Sequence, residues 1–173
     1  MVEDIAEKGN VLTAARDKAG KYLTFVLGSE EYGLEILKVR EIISCMDITA
    51  VPQTPEYVKG VINLRGQVIP VINLRAKFAM PSVEANEETC IIVVEIIQDQ
   101  QSISTGIVVD QVSEVLDISE ENIEQTPEFG GSVNTEFIMG MGKIGESVKI
   151  LLDIDKVLGG NEMAQLAEGV GAE

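Results

Sequence analysis

Few residues in this chain have the types and spacing that catalysis requires. The 173-residue sequence contains no histidine, so the commonest general base and the commonest metal ligand are both missing. Adjacent acidic pairs such as Glu120-Glu121 would point to opposite faces of a strand and could not flank one substrate bond. Asp153 and Asp155 could share a face, but acidic residues there are more typical of the first turn of a helix. We therefore expect no enzymatic activity, no metal site and no cofactor.

A glycine-rich stretch near the C-terminus imitates a nucleotide-binding motif. Gly140-x-Gly142-x-x-Gly145 has the letters of a dinucleotide fingerprint. That motif needs a helix directly after the glycines, whose N-terminus binds the phosphates. Here the strand-like segment 147–152 follows instead, so these residues are interpreted as hairpin glycines.

The best candidate for a recognition residue is Arg65, at the centre of a predicted hairpin. The sequence Val-Ile-Asn-Leu-Arg occurs at 61–65 and again at 71–75, and its aliphatic residues favour strands. Arg65-Gly66 supplies the polar break of a hairpin loop. Gly66 would let another backbone approach closely. Pro70 indicates an edge strand or a bulge. A solvated turn residue is the simpler interpretation of Arg65, and a contact residue is the alternative.

Charge is distributed very unevenly along the chain. The net charge is −16, yet residues 1–77 hold ten basic and ten acidic side chains. Residues 78–142 hold thirteen acidic side chains and no basic one. Such a field repels nucleic acid and anionic lipid, so neither is an expected partner. The first half, which contains every arginine, is left as the place where a neutral or acidic partner would bind.

Composition also indicates where the protein works. No apolar run reaches the roughly 18 residues of a membrane span, and the acidic N-terminus does not resemble a signal peptide. We therefore expect a cytoplasmic protein without membrane insertion. Cys45 and Cys90 are interpreted as buried free thiols, with a disulfide left open. Trp is absent, so the core must be mainly aliphatic.

The pattern of apolar residues predicts short strands joined by turns. A mobile leader is expected over 1–20, and a helical turn and tail over 161–173. The segment 37–43 is ambiguous between a helical turn and a strand. Strands are expected at 22–27, 32–36, 90–97 and 102–109, with hairpins at 60–77 and 140–152.

An internal repeat organises these elements. When the sequence is aligned with itself, Gly33–Ile43 matches Gly106–Leu116, and a slightly longer shift places Gly60-Val61 over Gly140-Met141. The chain therefore looks like two related β units, roughly 21–80 and 88–158, which close into barrels and could exchange strands. A junction between two barrels is a favoured binding site, and an amphipathic helix would suit a groove there.

Several motifs, taken in order, resemble the CheW family of bacterial chemotaxis coupling proteins. They are Phe25-x-Leu27-Gly28-x-Glu30-Glu31-Tyr32-Gly33, Ile36-Leu37-x-Val39-x-Glu41-Ile42, Gly60-Val61-x-Asn63-Leu64-Arg65-Gly66 and Gly106-Ile107-Val108-Val109-Asp110-x-Val112. The resemblance covers about residues 20–160 and implies a mainly β fold of two SH3-like five-stranded barrels with short helices. It also implies an adaptor that links the cytoplasmic tip of methyl-accepting chemoreceptors to the regulatory domain of the histidine kinase CheA, at membrane receptor arrays.

The resemblance further implies which residues face the receptor. Carried over by position, the set is Val39, Glu41, Gly60, Arg65, Gly66, Gly106 and Val115. The linker from Met80 to Glu88 and the turn from Gln98 to Ser104 depart from the family pattern, which affects the choice of partner more than the fold. A free-standing SH3-like module that binds proline-rich peptide is the alternative, but seven aromatic residues without Trp are a poor supply for its groove.

Overall fold

The computed structural model describes residues 20–127 and 135–158, and there short strands alternate with tight turns. Two short helices, α1 (Leu74–Lys77) and α2 (Ile154–Leu158), each follow a hairpin, and 3-10 turns lie at Ile36–Lys38 and Glu120–Asn122. The strands are β1 (Lys21–Leu27), β2 (Glu30–Glu35), β3 (Val39–Ser44), β4 (Val58–Leu64), β5 (Gln67–Asn73), β6 (Cys90–Gln98), β7 (Gln101–Val109), β8 (Gln111–Asp117), β9 (Ile123–Glu124), β10 (Ile138–Ile144) and β11 (Ser147–Leu152).

The predicted strands are present with two differences: β2 begins at Glu30 and ends before Ile36, and residues 74–77 of the predicted hairpin 60–77 form α1. The ambiguous segment 37–43 contains both alternatives, a 3-10 turn and then β3. The expected leader 1–20, apart from its last residue, and the expected C-terminal turn 161–173 lie outside the described residues.

The strands form two sheets with the same plan. One has the order β8-β1-β2-β11-β10-β9, and the other has the order β3-β6-β7-β5-β4. In each sheet one strand pair is parallel, β2 with β11 and β5 with β7, and the other pairs are antiparallel. The mainly β, two-barrel fold is confirmed, although the short β9 gives one sheet six strands instead of five. Each sheet combines strands from 21–80 and from 88–158, so the two halves exchange their first hairpins.

The duplication is visible in individual contacts. Gly33 lies opposite Leu151 in one sheet, and Gly106 lies opposite Val71 in the other. These pairs are equivalent under the two alignments of the sequence with itself. A methyl group on Gly33 would lie 2.8 Å from Leu151 Cδ2, and one on Gly106 would lie 2.8 Å from Ile91 Cγ2. Both glycines therefore leave room for a side chain of the parallel or neighbouring strand.

Each sheet curls until its ends meet. Thr49, which follows β3, exchanges two 2.9 Å backbone hydrogen bonds with Val61 of β4, at the opposite end of the strand order. In the other sheet β9, which follows β8, pairs Glu124 with Met141 of β10. Val61 and Met141 are equivalent positions in the two halves. Closure removes the unpaired strand edges that an open sheet would present.

The core lies mostly between the two sheets. Alternate residues of β1 and β6, such as Phe25 and Ile92, are fully buried in one apolar cluster that also contains Ile154 and Leu158 of α2. Smaller clusters fill each barrel, around Ile69 in one and Leu151 in the other. Four aromatic rings stack in sequence through the shared core, with centroid distances of 5.9, 5.9 and 5.0 Å: Phe25, Tyr32, Phe78 and Phe137.

Three smaller expectations have mixed outcomes. Cys45 and Cys90 are free thiols, as favoured, but both are half-buried instead of buried.

Pro70 lies in β5, which is a central strand, and the irregularity of the β4–β5 pair lies between Val58 and Gly60. The pairing of β5 with β7 begins only at Val71, so Pro70 precedes the parallel ladder and its missing N–H costs no bond there. Within the described residues no helix is long and apolar enough to cross a bilayer.

Candidate interaction site

Arg65 and Glu41 form a two-pronged ion pair at the rim of the five-stranded barrel. Arg65 Nη1 donates to Glu41 Oε1 at 2.5 Å, and Nη2 donates to Oε2 at 2.6 Å. The Arg65 side chain is 72 % exposed and that of Glu41 is 27 % exposed. The carboxylate therefore fixes the orientation of a guanidinium group that remains accessible to solvent.

The hairpin turn holds Arg65 in this position. Arg65 and Gly66 have φ values of 53° and 85°, and two positive values are typical of the two-residue turn that matches strand twist. Asn63 stabilises the turn, since its Oδ1 accepts a 2.8 Å hydrogen bond from the backbone N–H of Gly66. The prediction that Arg65 lies at the tip of a hairpin is confirmed.

The ion pair also connects the two ends of the sheet. Glu41 lies on β3 and Arg65 follows β4, which are the first and last strands in the order. A shallow groove of about 210 Å³ lies beside the pair, lined by Arg40, Glu41, Leu64, Arg65, Gln67, Ile69, Val93 and Ser104. All of these residues belong to one barrel. This groove therefore lies on one barrel and not at the junction between the two barrels, where a groove was expected.

Electrostatics at this site favour the charged form of both partners. The hydrogen bonds from Arg65 lower the pKa of Glu41 from 4.5, and the charges of Arg65 and Arg40 act in the same direction. The hydrogen bond with Glu41 and its charge raise the pKa of Arg65 above its ordinary value. The pair therefore persists across the whole neutral range of pH.

Two glycines of the expected set, Gly60 and Gly106, are buried, and their neighbours leave no room for a larger residue. Gly60 has φ of 145°, and an added Cβ would lie 2.0 Å from the carbonyl oxygen of Thr49. Gly60 is thus required where Thr49 closes the barrel. Gly106 is buried in β7 opposite Val71. Neither glycine presents a surface to a partner, although both lie in the barrel that carries Arg65.

The two valines of the set lie in different places. Val39 is half-buried and packs against the core between the sheets. Val115 is 50 % exposed on β8, in the other barrel. The internal repeat aligns Ile42 with Val115, and Ile42 is also exposed, at 42 %. The structure thus brings Glu41, Arg65 and Gly66 together, buries Gly60 and Gly106 in the same barrel and places Val115 in the other barrel.

Sequence reasoning missed a second arginine ion pair. Arg75 of α1 binds Asp110, which lies between β7 and β8 and also accepts a 2.8 Å bond from the N–H of Gly28. The sequence did point to Arg75, because this residue ends the second copy of Val-Ile-Asn-Leu-Arg. Nothing in the residues next to Arg65 indicated that Glu41 would be its partner. Among the described residues no group of histidine, cysteine and acidic side chains could hold a metal ion.

Comparisons with known proteins agree with this architecture. The family model described as the CheW-like domain matches residues 21–162. The chemotaxis protein CheW of Klebsiella aerogenes is 46 % identical over 144 residues, which cover 83 % of this chain and 84 % of that protein. CheW of Helicobacter pylori is 36 % identical over 138 residues, covering 80 % and 81 % of the two chains.

A solved structure resembles the whole described fold. The crystal structure of the scaffolding protein TtCheW from Thermoanaerobacter tengcongensis matches with a TM-score of 0.72 and 36 % identity. It covers 83 % of this chain and 94 % of that one. Sequence, fold and the extent of the match lead to one conclusion: the chain belongs to the CheW family.

Proposed function

We propose that this protein is a non-enzymatic adaptor that couples methyl-accepting chemoreceptors to the histidine kinase CheA. Its relatives are chemotaxis proteins, and a solved one is described as a scaffolding protein. An adaptor of this kind works in the cytoplasm and is recruited to receptor arrays at the membrane.

The observation that carries the proposal is the ion pair of Arg65 and Glu41. A flexible arginine at a hairpin tip would lose conformational entropy when it binds a partner. Here Glu41 has already restricted the side chain while 72 % of it remains exposed. A pre-oriented arginine is a common energetic centre of protein interfaces. We assign it to the receptor contact, with Gly66 allowing close approach of a receptor helix.

Binding measurements with the receptor signalling tip test this assignment. Arg65→Ala should weaken binding by more than about 1 kcal/mol, because an interface arginine would be lost. The melting temperature should change little, since exposed ion pairs contribute little to stability. Arg40→Ala is the matched control. Arg40 is an exposed arginine in the same groove, but it donates a hydrogen bond to Ser104 instead of binding Glu41.

Two results would contradict the assignment. Equal losses for both variants would mean that the receptor senses only general positive charge. Unchanged binding together with a large fall in melting temperature for Arg65→Ala would make Arg65 a structural brace of the barrel. Calorimetric titration and circular dichroism on the same samples separate these cases.

The alternative, an SH3-like module for proline-rich peptide, finds no support in the described aromatic residues. Phe25 is buried, Tyr32, Phe78 and Phe137 are half-buried and stack in line with it against the core, and Tyr22 is only 6 % exposed. Tyr57 lies under the ammonium group of Lys77. A groove for polyproline needs a row of exposed aromatic rings, which these side chains do not form.

A further inference from the structure

Two ion pairs occupy equivalent places in the two halves of the chain, with their charges interchanged. In the first, Arg75 of α1 binds Asp110 between β7 and β8, with Nε–Oδ1 2.8 Å and Nη2–Oδ2 2.6 Å. In the second, Asp155 of α2 binds Lys38 between β2 and β3, with Nζ–Oδ2 2.6 Å. The internal repeat aligns Asp110 with Leu37, the neighbour of Lys38, so the two strand connections correspond. It aligns Arg75 with Asp155 directly, so the two helices carry opposite charges at the same position.

The surroundings of the two ion pairs are also equivalent. Asp110 accepts a 2.8 Å hydrogen bond from the N–H of Gly28, and Asp155 accepts a 3.1 Å bond from the N–H of Ile97. Gly28 directly follows Leu27 of β1, and Ile97 directly follows Ile96 of β6, which is the equivalent position in the other hairpin. The same bridge between hairpin, helix and strand connection is therefore built twice, and the helix charge differs in sign.

The helix starts repeat the same equivalence. Asn73 caps α1 by accepting a 3.4 Å bond from the N–H of Ala76, and Asp153 accepts a 3.3 Å bond from the N–H of Lys156 before α2. The first-turn residues Arg75 and Asp155 therefore occupy equivalent positions in the two helices. The difference in charge between Arg75 and Asp155 is consequently a difference at one shared structural position.

Each ion pair joins the first half of the duplication to the second. Arg75 and Lys38 belong to the first half, and Asp110 and Asp155 belong to the second. If two copies of the chain paired first half with first half, Arg75 would face Lys38. If they paired second half with second half, Asp155 would face Asp110. The four side chains are 13–34 % exposed, so such like charges would be only partly screened by solvent.

We propose that this interchange of charge selects pairing of the two unlike halves within one chain and opposes exchange of like halves between two copies. Apolar packing discriminates weakly where equivalent core positions hold similar residues, such as Val71 and Leu151, although the stacked rings of Phe25 and Tyr32 have no aromatic counterpart in the other hairpin. Backbone pairing discriminates even less, since both sheets have the same plan. The ion pairs are the element that makes a like-with-like arrangement repulsive while the native one is attractive.

Reversal of one ion pair tests the proposal. Arg75→Asp combined with Asp110→Arg keeps opposite charges within the chain. The same double variant makes like-half pairing attractive at both sites, because position 75 then opposes Lys38 and position 110 opposes Asp155. After refolding from denaturant at increasing protein concentration, we expect roughly tenfold more dimer than for the unmodified chain. Light scattering after size exclusion measures the dimer, which should persist on native dilution and disappear after refolding at high dilution.

A fourfold variant is the matched control. Adding Lys38→Asp and Asp155→Lys reverses both pairs, so like-half pairing is repulsive again and the chain should return to monomer. The hydrogen bond from Gly28 to Asp110 is lost in the double and the fourfold variant alike. Equal dimer in both would therefore attribute dimerisation to that loss and overturn the proposal, as would a double variant that refolds only as monomer.

The second ion pair provides an independent measurement. Lys38→Asp with Asp155→Lys, introduced alone, should also promote dimer formation, because it makes the same two like-half contacts attractive. This double variant decides the question if the first one does not fold. Monomeric refolding of this variant at every concentration would overturn the proposal.

Discussion

Gly60 and Gly66 both have positive φ, but only Gly60 is also confined by a neighbouring backbone. An added Cβ at Gly60 would lie 2.0 Å from Thr49 O, whereas nothing lies within 4 Å of one at Gly66. Gly60→Ala should therefore lower the free energy of unfolding by roughly 3 kcal/mol, from backbone strain and displacement of the closing segment. Gly66→Ala should cost only about 1 kcal/mol.

Denaturant unfolding of the two alanine variants provides the comparison. If both lose about 1 kcal/mol, the contact of Gly60 with Thr49 is not a constraint on the barrel. In that case a loss of binding in a Gly60 variant would point to direct contact with a partner, which its burial argues against.

Glu41 and Glu114 are equivalent by sequence, and the structure shows why they should behave differently. Glu41 binds Arg65, but the alignment that matches Gly60 with Gly140 places Gly145 over Arg65, so Glu114 has no equivalent arginine at that turn. Glu41→Lys puts a positive charge beside Arg65 and should weaken receptor binding by roughly tenfold or more. Glu114→Lys should change binding little. Titration against the receptor tip, with circular dichroism to confirm folding, checks both.

The result at Glu114 has its own significance. Equal losses for the two variants would mean that the receptor contacts both barrels in the same way. If Glu41→Lys caused no loss of binding, Glu41 would not belong to the receptor contact. Arg65 would then have to make that contact without it.

At the scale of the strands, two buried threonines make opposite contributions. Thr24 of β1 and Thr105 of β7 are both fully buried. Thr24 Oγ1 donates to the carbonyl of Glu114 at 2.8 Å and accepts from its N–H at 3.1 Å, which bridges the irregularity between β1 and β8. Thr105 Oγ1 has no hydrogen-bond partner within the described part of the chain.

Replacement by valine, which keeps the shape, should separate the two cases. Thr24→Val should lower the free energy of unfolding by roughly 2 kcal/mol, since two backbone groups of Glu114 lose their partner. Thr105→Val should raise it by about 1 kcal/mol, because an unpaired hydroxyl is removed from an apolar site. Thermal and denaturant unfolding measure both changes. Destabilisation by Thr105→Val would show that its hydroxyl is paired in solution.

At the scale of the molecule, Asp110 connects the two barrels and should control part of the response to acid. It binds Arg75 and the N–H of Gly28, and the bonds from Arg75, followed by the bond from Gly28, lower its pKa from 3.8. Because the folded pKa lies below the unfolded one, the stabilisation is complete above about pH 4 and is lost as pH falls through the folded value. Asp110→Asn should remove roughly 2 kcal/mol at neutral pH.

The sign of this effect gives a direct measurement. The difference in free energy of unfolding between the unmodified chain and Asp110→Asn should be constant at neutral pH and should shrink below about pH 4. Glu124→Gln is a suitable control, since Glu124 also has a lowered pKa but its side chain, among the described residues, bonds the exposed Lys143 of its own barrel. A difference that stays constant into acid would show that Asp110 titrates normally in the folded protein.

The sequence by itself determined the strands, the turns and the existence of a duplication. These features depend on neighbouring residues: apolar stretches define strands, Arg65-Gly66 defines a turn, and glycines recur at fixed spacing. Arg65 could be placed at a hairpin tip because the whole hairpin lies within a single segment. The resemblance of the ordered motifs to one family was equally readable without coordinates.

Only the tertiary structure decided which strands pair and which side chains meet. The two halves share one apolar pattern, so that pattern is equally compatible with exchanged and unexchanged hairpins. Contacts such as Arg65 with Glu41 and Arg75 with Asp110 join residues 24 and 35 positions apart, and no local period encodes them. Burial of Gly106 and exposure of Val115 likewise depend on where β7 and β8 lie in the two sheets. Their physical origin is long-range packing and charge, which select one pairing from several that the local sequence permits.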